Sequence, residues 1–536
     1  MAIALLEEQK QDPATVLASD EPVTSIEQES SDTVEYPSGL RLLLLVLALI
    51  LSIFLVALDM TIIATAIPRI TQDFNSLNDI GWYGSAFFLT VSAFSQVWGK
   101  AFTYFSLRWV MLSAMFTFEV GSLICAVSRN SATLIVGRAI TGAGGAGIAN
   151  GCYIIIAFIA EPKKRPAYTG VLGATLGFAS VVGPLIGGAF TTKVTWRWCF
   201  YLNLPVGGLS ALVLTFLSIP AAVEPPQVSW TEKLKNMDPI GTALILASLV
   251  CYLLALQWGG ATKSWASPDV IGTLVGFVAL ALFFVAQQIW SGERAMMVPR
   301  LLKKRQTIAL LLFNFFLSGA YYVFIYYIPI YFQALGGYSA VESAVQNIPL
   351  IIGSSVFGII AGILLTVIGF FHPFLIIGAG LATLGGGLML TLTTELETGK
   401  NVGFQVLLGV GVGLCLQVPV MVGQAFSHPA DIATTTAILL FFQNMGGTIL
   451  ISAAQAIFIN RLVQSAANSS QSIDPVYLIS VGASDLRSAF AGAELADVLQ
   501  AYLLGLRDTW ILGTVCAGVA FLSCFLAKPQ SIKRMK

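Results

Sequence analysis

Three charged side chains in this sequence stand inside long apolar runs. Asp59 lies in Leu58-Asp59-Met60-Thr61-Ile62-Ile63, Glu119 near the middle of the run 109–128, and Arg138 early in the run 132–159. An ionisable group in hydrocarbon is costly and is usually kept for a task. An inward-facing carboxylate that gains and loses a proton, with a guanidinium nearby that favours the anion, is one such task and would serve proton coupling. A static ion pair that locks two helices together is the other reading. The sequence leaves the facing direction of Glu119 open.

Other chemistry has little material. The only histidines are His372 and His428, and the seven cysteines lie almost entirely in apolar stretches without CxxC spacing, so they read as small buried hydrophobes. No metal-ligand spacing, no Ser/His/Asp arrangement and no phosphate-cradling Gly-Lys-Ser loop is present, so neither an enzyme nor a bound cofactor or metal is expected. Lys plus Arg and Asp plus Glu each total 28, giving a formal net charge of zero and no basic excess for nucleic acid.

The elements that must position the three charges follow from composition. The chain is 56% hydrophobic and 10% charged over 536 residues, which a soluble protein does not show. At about 20 residues per bilayer-crossing helix the apolar content allows roughly fifteen spans. Fourteen are read, near 42–66, 80–98, 109–128, 132–159, 168–190, 199–219, 240–258, 270–290, 307–333, 345–369, 373–393, 402–425, 432–459 and 509–527. Placing residue 1 in the cytoplasm puts eighteen of the 28 Lys and Arg on that side and nine on the other, so both termini are expected to be cytoplasmic. Residues 1–39 hold nine acids against Lys10 and read as a disordered acidic tail. The longest loop, 460–508, would be extracytoplasmic, and Asn468 begins a weak Asn-Ser-Ser glycosylation triplet within it.

A faint repeat sets Gly99–Arg108 beside Gly362–Phe371, with Gly362 at the place of Gly99, Thr366 of Thr103 and Gly369 of Ser106. The small-residue run Thr141–Gly147 likewise has a counterpart in Gly409–Gly413. Duplicated halves are a mark of secondary transporters. In the fifth span, Gly177-Phe-Ala-Ser-Val-Val-Gly183-Pro184-Leu-Ile-Gly187-Gly188 combines small faces for close helix approach with a proline that permits a bend.

With these residues in view the chain resembles the major facilitator superfamily, specifically its fourteen-span drug:proton antiporters, and most of all the fungal efflux pumps that accompany toxin and secondary-metabolite pathways. Gly177–Gly188 is similar to the antiporter motif of that family. Leu134, Arg138, Thr141 and Gly142 follow its fourth-span motif, with Thr141 where glutamine is usual, and Asp59–Pro68 follows its first-span motif. Trp196–Gly207, Leu256–Gly260 and Tyr327–Gln333 resemble the fourteen-span branch. One motif departs. The cytoplasmic loop pattern survives only as Gly99 and Arg108, with Lys100 between them and Thr103 at the acidic position, so the chain departs from the acidic latch that the resemblance implies for the outward-facing state. Lys100 and Arg108 would meet other cytoplasmic groups or anionic lipid.

The resemblance implies an all-α polytopic membrane protein of the major facilitator fold, two six-helix bundles plus two extra helices. The acidic tail (1–39) would precede an N-terminal bundle (40–220), two linker spans with their loops (221–305), a C-terminal bundle (306–528) and a basic tail (529–536). Duplicated halves would let one chain act as a monomer. Polar residues inside spans are candidates for the substrate cavity: Gln333 and Gln417, each near a proline, and Asn150, Asn347 and Gln443. Helix–helix hydrogen bonding is the competing use of each. The expected function is proton-coupled efflux of a small amphipathic organic compound across the lipid bilayer, with the plasma membrane preferred over the vacuolar membrane. Uptake of a siderophore or nutrient is the alternative within transport, and a non-transporting sensor the alternative outside it.

Overall fold

The computed structural model describes residues 36–74, 76, 79–217, 219, 226–260, 262–467 and 473–533. The acidic tail up to residue 35, Asn468 and the last three residues of the basic tail lie outside this set. In order, the helices are α1 (Gly39–Phe74), α2 (Ile80–Tyr104), α3 (Leu107–Val127), α4 (Ser131–Ile159), α5 (Arg165–Lys193), α6 (Trp198–Tyr201) and α7 (Asn203–Phe216). They continue with α8 (Trp230–Asn236), α9 (Pro239–Trp258), α10 (Pro268–Ser291), α11 (Pro299–Leu302), α12 (Arg305–Gly336), α13 (Ala340–Gln346) and α14 (Ile348–Ile368). The last are α15 (His372–Met389), α16 (Thr398–Cys415), α17 (Val418–Ala425), α18 (Ile432–Ala467), α19 (Pro475–Ser480), α20 (Leu486–Ala489) and α21 (Gly492–Ser523).

Thirteen helical stretches among the described residues are long and apolar enough to cross a bilayer. The remaining expected span, 80–98, is α2, whose 25 residues form one helix. Its polarity is turned inward, since Ser92, Ser95 and Gln96 are buried. The segment 460–508 is largely helical rather than a long loop, because α18 runs to Ala467 and α21 starts at Gly492. Leu478, Leu486 and Phe490 of the intervening stretch are buried, and Arg487 donates to the Leu335 carbonyl at the end of α12 (2.6 Å). Apolar anchoring together with a capped carbonyl holds this stretch against the helices.

Glycines set how closely the helices approach. In α4, a Cβ on Gly142 would fall 2.4 Å from the Phe87 carbonyl of α2, and one on Gly144 2.3 Å from the Phe118 nitrogen of α3. In α16, Gly409 and Gly413 meet the Leu350 and Ser354 carbonyls of α14 in the same way, and Gly411 meets Ala382 of α15. The two small-residue runs of the faint repeat therefore do one job: alternate faces of a central helix receive the backbones of its two neighbours.

The repeat also governs how α1–α7 meet α12–α21. Gly99 at the end of α2 lies against Ala437 and the Ala433 carbonyl of α18, and Gly362 at the end of α14 lies against the Pro166 carbonyl of α5. Thr103 and Thr366 each turn a hydroxyl back to the carbonyl four residues earlier, Gly99 (3.1 Å) and Gly362 (2.8 Å). Both seams are shut at the end of the molecule that carries Lys100, Arg165 and Arg300, called the basic end below.

The helices α9 and α10 pack on each other and α9 lies over α2 and α18, where Tyr252 donates to the Ile449 carbonyl (2.9 Å). Asp238, at φ 50°, is the hub of this pair. Its carboxylate accepts from the Gly241 nitrogen (2.9 Å), Gln287 (2.7 Å), Gln288 (2.6 Å) and the Met296 nitrogen (3.1 Å). The strand of chain that it fixes then clasps both helix groups. Lys100 donates to the Glu293 carbonyl (3.1 Å), and Arg300 bridges the Glu293 carboxylate (3.1 Å) to both oxygens of Asp431 (3.0 and 2.9 Å) just before α18. Hydrogen bonds from Asp431 and then Glu293 hold the Arg300 guanidinium charged well above its ordinary range. Arg300 is half exposed, so the clasp is worth about 0.2–1 kcal/mol. Arg300→Ala is expected to speed labelling of a Thr169→Cys reporter by an impermeant maleimide about two- to fivefold, Thr169 being fully buried on α5 near the basic end.

Candidate functional site

Asp59 and Arg138 meet. Arg138 donates from Nη1 to Asp59 Oδ2 and from Nε to the Tyr83 carbonyl (3.0 Å), and both side chains are fully buried. The Phe87 ring centroid lies 4.5 Å and that of Phe200 5.9 Å from the guanidinium carbon, so the cation rests between aromatic faces. The second carboxylate oxygen accepts from Asn203 Nδ2 (3.1 Å), which also donates to Ser122 Oγ (3.0 Å). Helices α1, α2, α3, α4, α6 and α7 all contribute to this arrangement. Asn203 and Ser122 were not among the expected site residues. The available signal was an amide at the head of an otherwise apolar span, within the Trp196–Gly207 block.

Glu119 is one helical turn before Ser122 on α3, and Gly207 is one turn after Asn203 on α7. A Cβ on Gly207 would fall 1.7 Å from Glu119 Oε1, so that glycine makes room for the carboxyl group. Glu119 Oε2 is buried without a hydrogen-bond partner. The structure thus gathers all three charges of the spans into one group of helices and orders them: Asp59 has two donors, while Glu119 has an oxygen to spare.

The glycine-proline helix α5 runs unbroken through Pro184 and serves two faces. Gly183 and Gly187 are pressed against Thr61 and Thr65 of α1, and Thr61 donates to the Ala179 carbonyl (3.3 Å). Gly177 meets Ser355 of α14, and Gly188 meets Val341 of α13. This helix therefore sits between the charged group on α1 and the opposite half. Of the loop-motif residues, Gly99 and Lys100 reach across to α18 and the clasp, whereas Arg108 donates to the Thr215 carbonyl of α7 on its own side. Thr103, at the usual acidic position, approaches Thr434 at the start of α18 (3.3 Å between hydroxyls).

The expected cavity amides separate. Gln333 donates to Ser343 (2.9 Å), Asn150 is engaged with Ser95, and Asn347 donates to the Ile325 carbonyl (3.2 Å). Gln443 is buried on α18 with its amide oxygen unpartnered. Gln417 stands at the break between α16 and α17, buried, with both amide atoms unpartnered. It lies against Gly173 of α5, where a Cβ would be 2.7 Å from its Cγ. The Tyr153 hydroxyl of α4 faces the same amide, yet neither group closes a hydrogen bond of normal geometry. Tyr322, whose ring covers Gly447, lies beside Tyr153, whereas Tyr326 faces the first helix group, its centroid 6.4 Å from that of Phe88 on α2. Tyr153 was also missed, because a lone tyrosine in an apolar run gives no sign of which helix it will face. Among the described residues no group of three or more His, Cys, Asp or Glu is placed to hold a metal.

Paired seams, a glycine-packed repeat and charges buried in one half define a membrane transporter, and the chain belongs to the Major Facilitator Superfamily, whose family model matches residues 49–451. It is 45% identical to the MFS-type transporter GME11371 of Pestalotiopsis microspora, over 97% of this chain and 96% of that one. It is 42% identical to the MFS-type efflux pump MFS1 of Arthroderma benhamiae, covering 95% of each chain. Among solved structures the human organic anion transporter MFSD10 shares the fold, with a TM-score of 0.60 at 14% identity over 92% of this chain and all of that one. The fold and the relatives are those of multi-pass membrane transporters of small organic molecules, not of enzymes.

Proposed function

We propose that this protein exports an amphipathic organic compound, such as a toxin, secondary metabolite or drug, in exchange for protons by alternating access. Both termini would lie in the cytoplasm, the plasma membrane would be its site, and a single chain would suffice. The observation that carries this reading is the buried cluster of Asp59, Arg138 and Asn203 with Glu119 beside it. A charge pair held within one helix group costs desolvation energy that a purely structural contact does not require. Protonation of a carboxylate there would change which helix arrangement is preferred, and a ligand drives a conformational change only by its differential affinity for the two states. The efflux pump relatives favour export over uptake. With the basic end in the cytoplasm, the two shut seams would close the path on that side, as an exporter requires while it releases its substrate outside.

The test is accumulation of a panel of fluorescent amphipathic compounds in cells with and without the protein. Lower accumulation that disappears when a protonophore collapses the gradient is the expected result. Raised accumulation of any compound, dependent on the protein, would replace export by uptake.

A further inference from the structure

Charge is distributed very unevenly among the spans. The expected spans of the second half, from 307 to 527, contain no Asp, Glu, Lys or Arg, and those of the first half and the linker pair contain only Asp59, Glu119 and Arg138. The structure locks Asp59 to Arg138 and Asn203, and turns Glu119 toward Gly207 on α7. Helices α3 and α7 pack among the first group, away from the seams. Above the clasp of the basic end, a charged molecule passing between the halves would therefore meet no free counter-charge from the spans, and burying an unpaired charge costs far more than burying a polar group.

Polar capacity, by contrast, is present and unused. The α16–α17 break falls at Leu416 and Gln417, and Pro419 cannot supply a backbone donor there. Gln417 is 4% exposed and both ends of its carboxamide lack partners, as does the Tyr153 hydroxyl at 1%. A buried unmade hydrogen bond costs about 1–3 kcal/mol, and even where Tyr153 engages one end of the Gln417 carboxamide the other end is left unmade, so the site has room for a group that completes it.

We propose that the transported molecule crosses in an electrically neutral form and is held at the α16–α17 break, where the Gln417 carboxamide presents a donor and an acceptor together. The complementary ligand feature is an adjacent acceptor and donor on a flat skeleton, as in a lactam, a carboxamide or a hydroxy-ketone, with the Tyr322 ring beside Tyr153 offering contact area. This takes the path between the halves from the transport reading and does not depend on proton coupling or on direction.

The experiment is binding to the full-length protein in lipid nanodiscs, with empty nanodiscs as the blank. The probes are 3-hydroxyflavone, which is neutral with a hydroxyl beside a carbonyl, and rhodamine 6G, a permanent cation. Saturable binding of 3-hydroxyflavone is expected, with rhodamine 6G at least tenfold weaker. Gln417→Leu should weaken 3-hydroxyflavone about tenfold, Gln417→Asn should recover part of the loss, and Gln417→Glu should admit rhodamine 6G. Equal binding of the two probes by the wild-type protein, unchanged 3-hydroxyflavone binding by Gln417→Leu, or no saturable binding of either probe would overturn the assignment. Binding in nanodiscs as expected, without reduced accumulation in cells, would instead overturn the export reading and leave this one standing.

Discussion

Arg138→Ala is expected to lower proton-driven export more than about a hundredfold while the protein still reaches the membrane. Truncation leaves Asp59 buried with Asn203 as its remaining side-chain donor. Breaking a buried ion pair on one side costs about 3–5 kcal/mol, and every 1.4 kcal/mol is about tenfold in an equilibrium. The double variant Asp59→Leu with Arg138→Met separates two roles, because well-packed apolar residues often replace a buried pair without loss of stability. Thermal stability in detergent should return toward that of the wild type, while export driven by an imposed pH gradient stays absent. Recovery of both would make the pair a helix lock and move coupling elsewhere.

The second large effect concerns closure of the basic end. Gly99→Val and Gly362→Val each place a branched side chain where a single Cβ already falls 2.2 Å from Ala437 or 2.4 Å from the Pro166 carbonyl. Overpacking costs about 1–3 kcal/mol where neighbours can yield, and the Pro166 backbone cannot yield as a flexible side-chain tip does. The cost arises only when the seam is shut, so the helices of each half still form. Labelling of the Thr169→Cys reporter should rise about tenfold or more in either variant, and export should fall by a similar factor. Gly121→Val is the contrast. Its Cβ would meet the Thr141 nitrogen at 2.3 Å inside the first helix group, and poor membrane yield is the expected outcome. Ordinary labelling and ordinary export in both seam variants would mean that these contacts are not a gate.

Much of the architecture could be read from hydropathy, because a helix crossing lipid must satisfy its own backbone and show apolar residues over some 20 positions. Even α2, whose buried serines and glutamine dilute its apolar character, was recognisable from its neighbours and length. That a buried carboxylate and Arg138 would both need partners was legible from the cost of leaving either alone, but which of Asp59 and Glu119 meets Arg138 was not. Asn203 was harder, since an amide in a span serves helix packing as readily as a charged site. The clasp was out of reach for a different reason. Lys100 and Glu293 are separated by 193 positions and Arg300 and Asp431 by 131, and all four lie in segments whose charge reads equally well as a solvated loop end. Gln333 and Gln417 shared one sequence signal, a nearby proline, yet α12 continues through Pro329 while α16 stops before Pro419. Tertiary packing, not the proline itself, separates them.

The position of α9 also makes the two flanks of the molecule unequal toward the bilayer. On one flank it roofs the junction of α2 with α18, tied down by Tyr252, while the hydroxyl contact of Ser92 with Thr448 (3.0 Å) joins α2 to α18 beneath. On the other, α5 and α14 adjoin directly, with exposed Phe178 and Val356 among their outward side chains. A hydrophobic solute dissolved among the acyl chains thus finds one junction sheltered and the other bare, so lateral approach from the lipid is one-sided in a molecule whose halves are otherwise built alike.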